Sequence, residues 1–178
     1  NAWVEEKTRG KIDHIIDEIA EDIVMYLINT IYFLGDWTYE FDEDLTREAP
    51  FYTYDGQEKM TDMMELKANL KFLSKDDYKM VQLPYGNKKS SMYIVLPDED
   101  IDINTFAKSL NREKWEEMLF SMELEEDVTV KMPKFKMEYG IRELKDEMKS
   151  MGMGSAFQNA DFSNIANNLE VSSILHNA

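Results

Sequence analysis

The chain has 178 residues, no cysteine, and a net charge of −16 from 36 acidic and 20 basic side chains. That balance argues against nucleic-acid binding, which needs clustered Lys and Arg to meet phosphates, and the missing cysteines exclude a disulfide scaffold, thiol catalysis and Cys-ligated zinc. With 43% hydrophobic and 12% aromatic residues there is ample material for a core, one domain is expected at this length, and no apolar run reaches the roughly 18 residues of a membrane span.

In chain order, Ile12, Ile15, Ile16 and Ile19 fall at helical spacing and predict a helix face over 11–20. The run from Val24 to Leu34, closed by Gly35, reads as a strand buried on both faces, with an amphipathic helix as the competing reading. Phe51 to Tyr54 enters an Asp55-Gly56 turn with a partner strand through Met60 to Leu66. Further strands are expected at Leu70–Leu73, Lys79–Leu83 and Ser91–Leu96, the last two ended by Pro84 and Pro97. Helices follow at Asn104–Leu110 and Arg112–Phe120, the second capped by Asn111. Val128–Met132 alternates as a strand, and Pro133 interrupts it before Lys134–Met137. Ile141, Leu144, Met148 and Met151 mark a helix stopped by Gly152, and Leu169–Leu175 predicts a final strand. Strands in runs with interspersed helices indicate an α+β fold.

The chemistry-bearing residues are few. His14 and His176 are the two histidines, which rules out a His-rich metal site, and His14 is expected at the surface. Ser172 and His176 lie four apart in a predicted strand, without the elbow or oxyanion turn of a hydrolase. Asp98, Asp100 and Asp102 match positions 1, 3 and 5 of a calcium loop, but Ile103 stands where Gly is needed and Ser109 where Glu is needed. No cofactor or metal is expected. The 13 methionines read as core filler.

Several segments together resemble the serpin family of serine protease inhibitors. These are Thr8-x-Gly10-Lys11-Ile12; Leu27 to Trp37, similar to the family's third strand of sheet A; Phe41 and Thr46; Met63-Met64; Leu83-Pro84-Tyr85; and Ser91 to Pro97. Pro133-Lys134-Phe135-Lys136, Met151-Gly152-Met153, Ala156-Phe157, Ala160-Asp161-Phe162-Ser163 and Val171-Ser172 with His176 and Ala178 follow in family order. Asn177 stands where the family has Lys.

The resemblance implies a partial serpin domain over 1–178, with mixed and antiparallel sheets and a few packed helices. It runs from the end of a helix lying over sheet A to the start of that sheet's fifth strand. It implies that 1–8 ends that helix and that 11–20 is an irregular connector, against the periodicity. It implies that a reactive loop, absent here, is cleaved by a serine protease and inserts between the third and fifth strands, residues 23–35 and 169 onward. Asn29 and His176 match the shutter, a buried polar cluster under the parting strands. Trp37 and Lys134 match the breach, where the loop enters, and Lys134 would pair there with an acid beyond this chain. The expected partner is a serine protease, and the expected location is extracellular. A chain without the loop should inhibit nothing and should self-associate through exposed sheet edges. The alternative is a non-inhibitory serpin acting as a binding or chaperone protein.

Overall fold

The computed structural model describes residues 1–19, 25–136, 140–165 and 169–177. In chain order the elements are α1 (Ala2–Lys7), β1 (Tyr26–Thr30), β2 (Asp42–Tyr52), β3 (Glu58–Ser74), β4 (Tyr78–Tyr85) and β5 (Ser90–Pro97). Then come α2 (Ile103–Ser109), α3 (Arg112–Phe120), β6 (Glu123–Pro133), β7 (Arg142–Glu143), α4 (Lys145–Met148) and β8 (Ser173–Asn177). The fold is α+β, and it falls into two compact units, residues 35–135 and residues 1–34 with 136–178.

In the 35–135 unit, β3 is the central strand. Met63 pairs with both Arg47 and Pro133, and Phe72 pairs with both Val81 and Glu123. Strands β2 and β4 therefore share one edge of β3, and β6 takes the other. A bulge between Ala68 and Leu70 shifts the β3–β6 register by one residue, with the Asn69 side chain accepting from the Asp127 N–H at 3.2 Å. One long strand thus replaces the two expected at 60–66 and 70–73, because the bulge absorbs the break in pattern. Alternation along β4 and β5 explains why both carry apolar residues on both faces. Val81, Leu83, Met92 and Ile94 join one cluster with Leu66, Leu70, Val130 and Met132. Tyr78, Met80, Tyr93 and Val95 join a second with Phe106 and Met118 from α2 and α3. Pro84 sits inside β4, opposite Ser91, instead of ending it. The β2–β3 hairpin closes at Asp55-Gly56, where Gly56 takes φ +75° and Thr53 N–H bonds Gln57 O at 2.9 Å. Asn111 caps α3 as expected, its Oδ1 accepting from Lys114 N–H at 2.8 Å. Strand β6 begins five residues before the expected Val128, drawn out by pairing with β3.

In the other unit, β8 lies between β1, to which it is parallel, and β7, to which it is antiparallel. Behind them Phe157, Val171 and Ile174 form a small core with Met25, Leu144 and Phe162. The predicted helix over 11–20 is absent from the described residues 11–19. Arg9 and Gly10 both take positive φ and break the helical path. The N–H groups of Ile15 and Ile16 then bond Asn1 Oδ1 at 3.0 and 3.1 Å in place of helical carbonyls, and Ile19 is left 67% exposed. Thr8, fully buried, turns the chain by donating to Val4 O at 2.8 Å and accepting from Ile12 N–H at 3.0 Å. His14 is exposed, as expected.

The strand expected over 24–34 is shorter and is not buried on both faces. Among the described residues it spans β1 alone, paired with β8 from Tyr26↔Ser173 to Thr30↔Asn177, with Leu27 and Asn29 exposed in this chain. Residues 23 and 24 lie outside the described set. The expected final strand likewise begins at Ser173. The helix predicted over Ile141–Met151 shrinks to α4. Its first turn is captured by β8, which pairs Arg142 with His176 and Glu143 with Leu175. Pairing across the sheet overrides the local periodicity there. A wider turn, Lys149–Met153, follows, and Gly152 at φ +102° breaks its helical path.

Candidate functional site

Two places gather the sequence-predicted residues. The first is the β1–β8 seam. Its parallel register sets Asn29 directly beside His176, and His176 Nδ1 lies 3.0 Å from Asn29 Oδ1. The Asn29 oxygen only accepts, so Nδ1 carries the proton in this contact. In this chain Asn29 is exposed and His176 half-buried, where the resemblance implies two buried polar side chains. The contact staples the two strands from above the sheet plane. We expect a double-mutant cycle on Asn29→Ala and His176→Ala to return a coupling of about 0.5–1.5 kcal/mol. A coupling of zero by urea unfolding would contradict the staple.

The second place is an open cleft in the 35–135 unit, lined by Trp37, Phe41, Met64, Lys134 and the acids Asp36, Glu40, Asp42 and Glu43. Trp37 stacks on Tyr85 at 4.4 Å between ring centroids, with an angle of 16°, and meets Phe41 edge-on at 5.9 Å. Backbone bonds fix the loop that carries it. Thr38 N–H donates to Pro84 O at 2.9 Å, and Gly86 N–H donates to Asp36 O at 2.8 Å. Lys134 follows directly on β6 and is held through its N–H on Asp62 O at 2.8 Å. Its side chain is exposed, and its ammonium makes no ion pair among the described residues. The structure thus brings Trp37 and Lys134 to one cleft, and Asn29 and His176 to one contact.

Sequence reasoning missed Glu143. Its Oε1 accepts from the N–H groups of Ile174 and Lys145, each at 3.0 Å, and its Oε2 accepts from the Ser173 hydroxyl. Nothing in Arg142-Glu143-Leu144-Lys145 marks this, since two of the three donors, Ser173 and Ile174, lie some thirty residues away. Partial burial pushes the carboxyl up, but the Ser173 hydroxyl, the two N–H groups and the Lys145 ammonium outweigh it, leaving the group below the usual range. A carboxylate whose folded pKa is depressed adds stability above its unfolded value, and that stability is lost as pH falls through the folded one. The denaturation midpoint of the protein should therefore fall more steeply in acid than that of Glu143→Gln. Parallel acid limbs would contradict this.

A profile described as Serpin (serine protease inhibitor) matches residues 1–178. The chain belongs to the serpin family. It is 37% identical over 179 residues to an uncharacterized serpin-like protein of Methanosarcina mazei, covering 99% of this chain and 42% of that protein. It is 34% identical to Serpin B6 of Pongo abelii, covering 99% of this chain and 49% of that one. Among solved serpin structures, the thermophilic tengpin in its native state matches with a TM-score of 0.90 at 31% identity, over 99% of this chain and 46% of that one. Native protease nexin-1 with heparin matches with a TM-score of 0.89 at 26% identity, over 100% of this chain and 51% of that one. The chain thus spans about half the length of the serpins it matches. None of the described helices is long and apolar enough to cross a membrane.

Proposed function

We propose that this chain is part of a single serpin domain whose whole protein traps a serine protease, by inserting its cleaved reactive loop between β1 and β8. The observation that supports the reading best is the side-by-side parallel pairing of these two strands. Serpins are the type case of reactive-loop insertion into a sheet. When the strands part, the N–H and C=O groups along both facing edges lose their partners, and an inserted strand restores them. That gain drives the transition and drags the acyl-linked protease along. In this reading Asn29 and His176 are the shutter, a contact that must break before the strands separate. Trp37 and Lys134 are the breach, with Trp37 holding the loop 35–39 on β4 and Lys134 offering an ammonium to an acid of the entering loop. An extracellular location is an expectation carried by the family alone.

The test mixes the full-length protein with trypsin-like, chymotrypsin-like and subtilisin-like proteases and resolves the products on denaturing gels. A band at the summed mass that survives SDS is expected with one class. Cleavage without such a band would turn the reading to a non-inhibitory serpin. The 178-residue chain by itself should inhibit none of them. Ile31, Phe33 and Leu34 are all more than half exposed, which supports self-association of the isolated chain. Light scattering should show oligomers at high concentration, and a monodisperse monomer would contradict this.

A further inference from the structure

As the middle strand of its sheet, β8 can part from either neighbour. On the β1 side five residue pairs join them, Tyr26↔Ser173 through Thr30↔Asn177. On the β7 side the described residues give two, Arg142↔His176 and Glu143↔Leu175. Among the described residues the β7 seam thus has the fewer backbone pairs, yet in the loop-insertion reading it is the β1 seam that opens. The side chain of Glu143 redresses the balance. Backbone bonding alternates along a strand. Asn177 faces β1, since its carbonyl accepts from Ile31 N–H at 3.1 Å, whereas Ile174 faces β7, its carbonyl accepting from Leu144 N–H at 2.9 Å. The Ile174 N–H points to the same side, beyond the end of the short β7 ladder, and there the Glu143 carboxylate receives it at 3.0 Å in place of a strand carbonyl. The second carboxylate oxygen takes the Ser173 hydroxyl. Lys145, next along, donates its ammonium to Ser172 O at 3.0 Å. Bonds with an ionised partner are about twice as strong as neutral ones, so a few of them can compensate for missing ladder pairs.

We propose that Glu143 is a positioning residue that clamps β8 to β7 and so selects the β1–β8 seam as the one that opens. Its consequence for inhibition rests on the loop-insertion reading; the clamp itself does not.

The experiment compares the full-length protein with its Glu143→Ala and Glu143→Gln variants by amide hydrogen exchange and by titration against the trapped protease. In Glu143→Ala the Ile174 amide should exchange at least about tenfold faster, as befits loss of a charge-assisted bond. The Leu175 amide, which faces β1, should stay unchanged. Glu143→Gln should lie between, because its carboxamide oxygen can keep the Ile174 bond. The stoichiometry of inhibition should rise several-fold in Glu143→Ala with the encounter rate unaltered, because a strand that drifts from β7 presents its edge less readily to the loop. An unchanged Ile174, or equal loosening of Ile174 and Leu175, would overturn the clamp. If Glu143→Ala does not fold, Ser173→Ala removes one donor only and should speed Ile174 exchange by a smaller factor. If the unaltered protein traps no protease, loop insertion fails as a reading, while the exchange comparison still decides the clamp.

Discussion

Replacing Leu70 by alanine should destabilise the 35–135 unit by about 2–5 kcal/mol, the range for deleting a large aliphatic side chain from a closed core. Leu70 is 1% exposed. It sits on β3 just past the bulge, packed with Leu66, Val81, Leu83, Val130 and Met132, and so draws on β3, β4 and β6 at once. A site enclosed by three paired strands cannot collapse to fill the space, which places the cost in the upper part of the range. Leu124, 69% exposed on β6, is the internal control; its alanine variant should stay within about 0.5 kcal/mol of the parent. Urea unfolding followed by tryptophan fluorescence reads both. Equal losses at the two positions would show that the core is not where the structure places it.

Trp37→Ala should cost about 3 kcal/mol, the lower end for removing a large aromatic, because the ring is only half-buried. The loss has two parts. The stack on Tyr85 and the edge contact with Phe41 disappear, and such ring pairs contribute about 0.5–1.5 kcal/mol beyond area burial. The loop 35–39 also loses its anchor on the core cluster that Trp37, Tyr39 and Phe41 cover. Trp37→Phe keeps an aromatic face for Tyr85 and should recover about half of the loss. If phenylalanine is as damaging as alanine, the stack is not what holds the loop. On the proposed reading of Trp37 as part of the breach, the alanine variant of the full-length protein should also trap protease less efficiently.

The elements easiest to read from sequence are those whose pattern agrees with their partners. The Asp55-Gly56 hairpin, the Asn111 cap and the apolar run Met92–Pro97 of β5 each carry a local cause that the fold leaves intact. The misreadings share a different cause. Residues 12–19 have helical spacing, but backbone groups of Ile12, Ile15 and Ile16 are claimed by Thr8 and Asn1. Ile141 and Leu144 fit a helix, but the residues between them pair with β8. The long apolar run after Val24 reads as a doubly buried strand, whereas among the described residues only Tyr26–Thr30 pairs, along β8. Asn29, His176, Trp37 and Lys134 were named from family order, and the geometry then supplied their neighbours. Glu143 was invisible because its three donors come from distant or unremarkable residues, and only the folded sheet brings them to one carboxylate.

The central claim is that β1 and β8 must separate for the protein to act. The most direct measurement locks them together. Thr30 and Asn177 are register partners in the seam, and neighbouring strands lie within the Cα separation that a disulfide spans. With no cysteine in these 178 residues, the Thr30→Cys/Asn177→Cys pair introduced into the full-length protein gives a defined cross-link. Oxidised, it should be cleaved by the target protease as a plain substrate, with no SDS-stable complex, and reduction should restore trapping. An oxidised protein that traps as well as the reduced one would contradict the account.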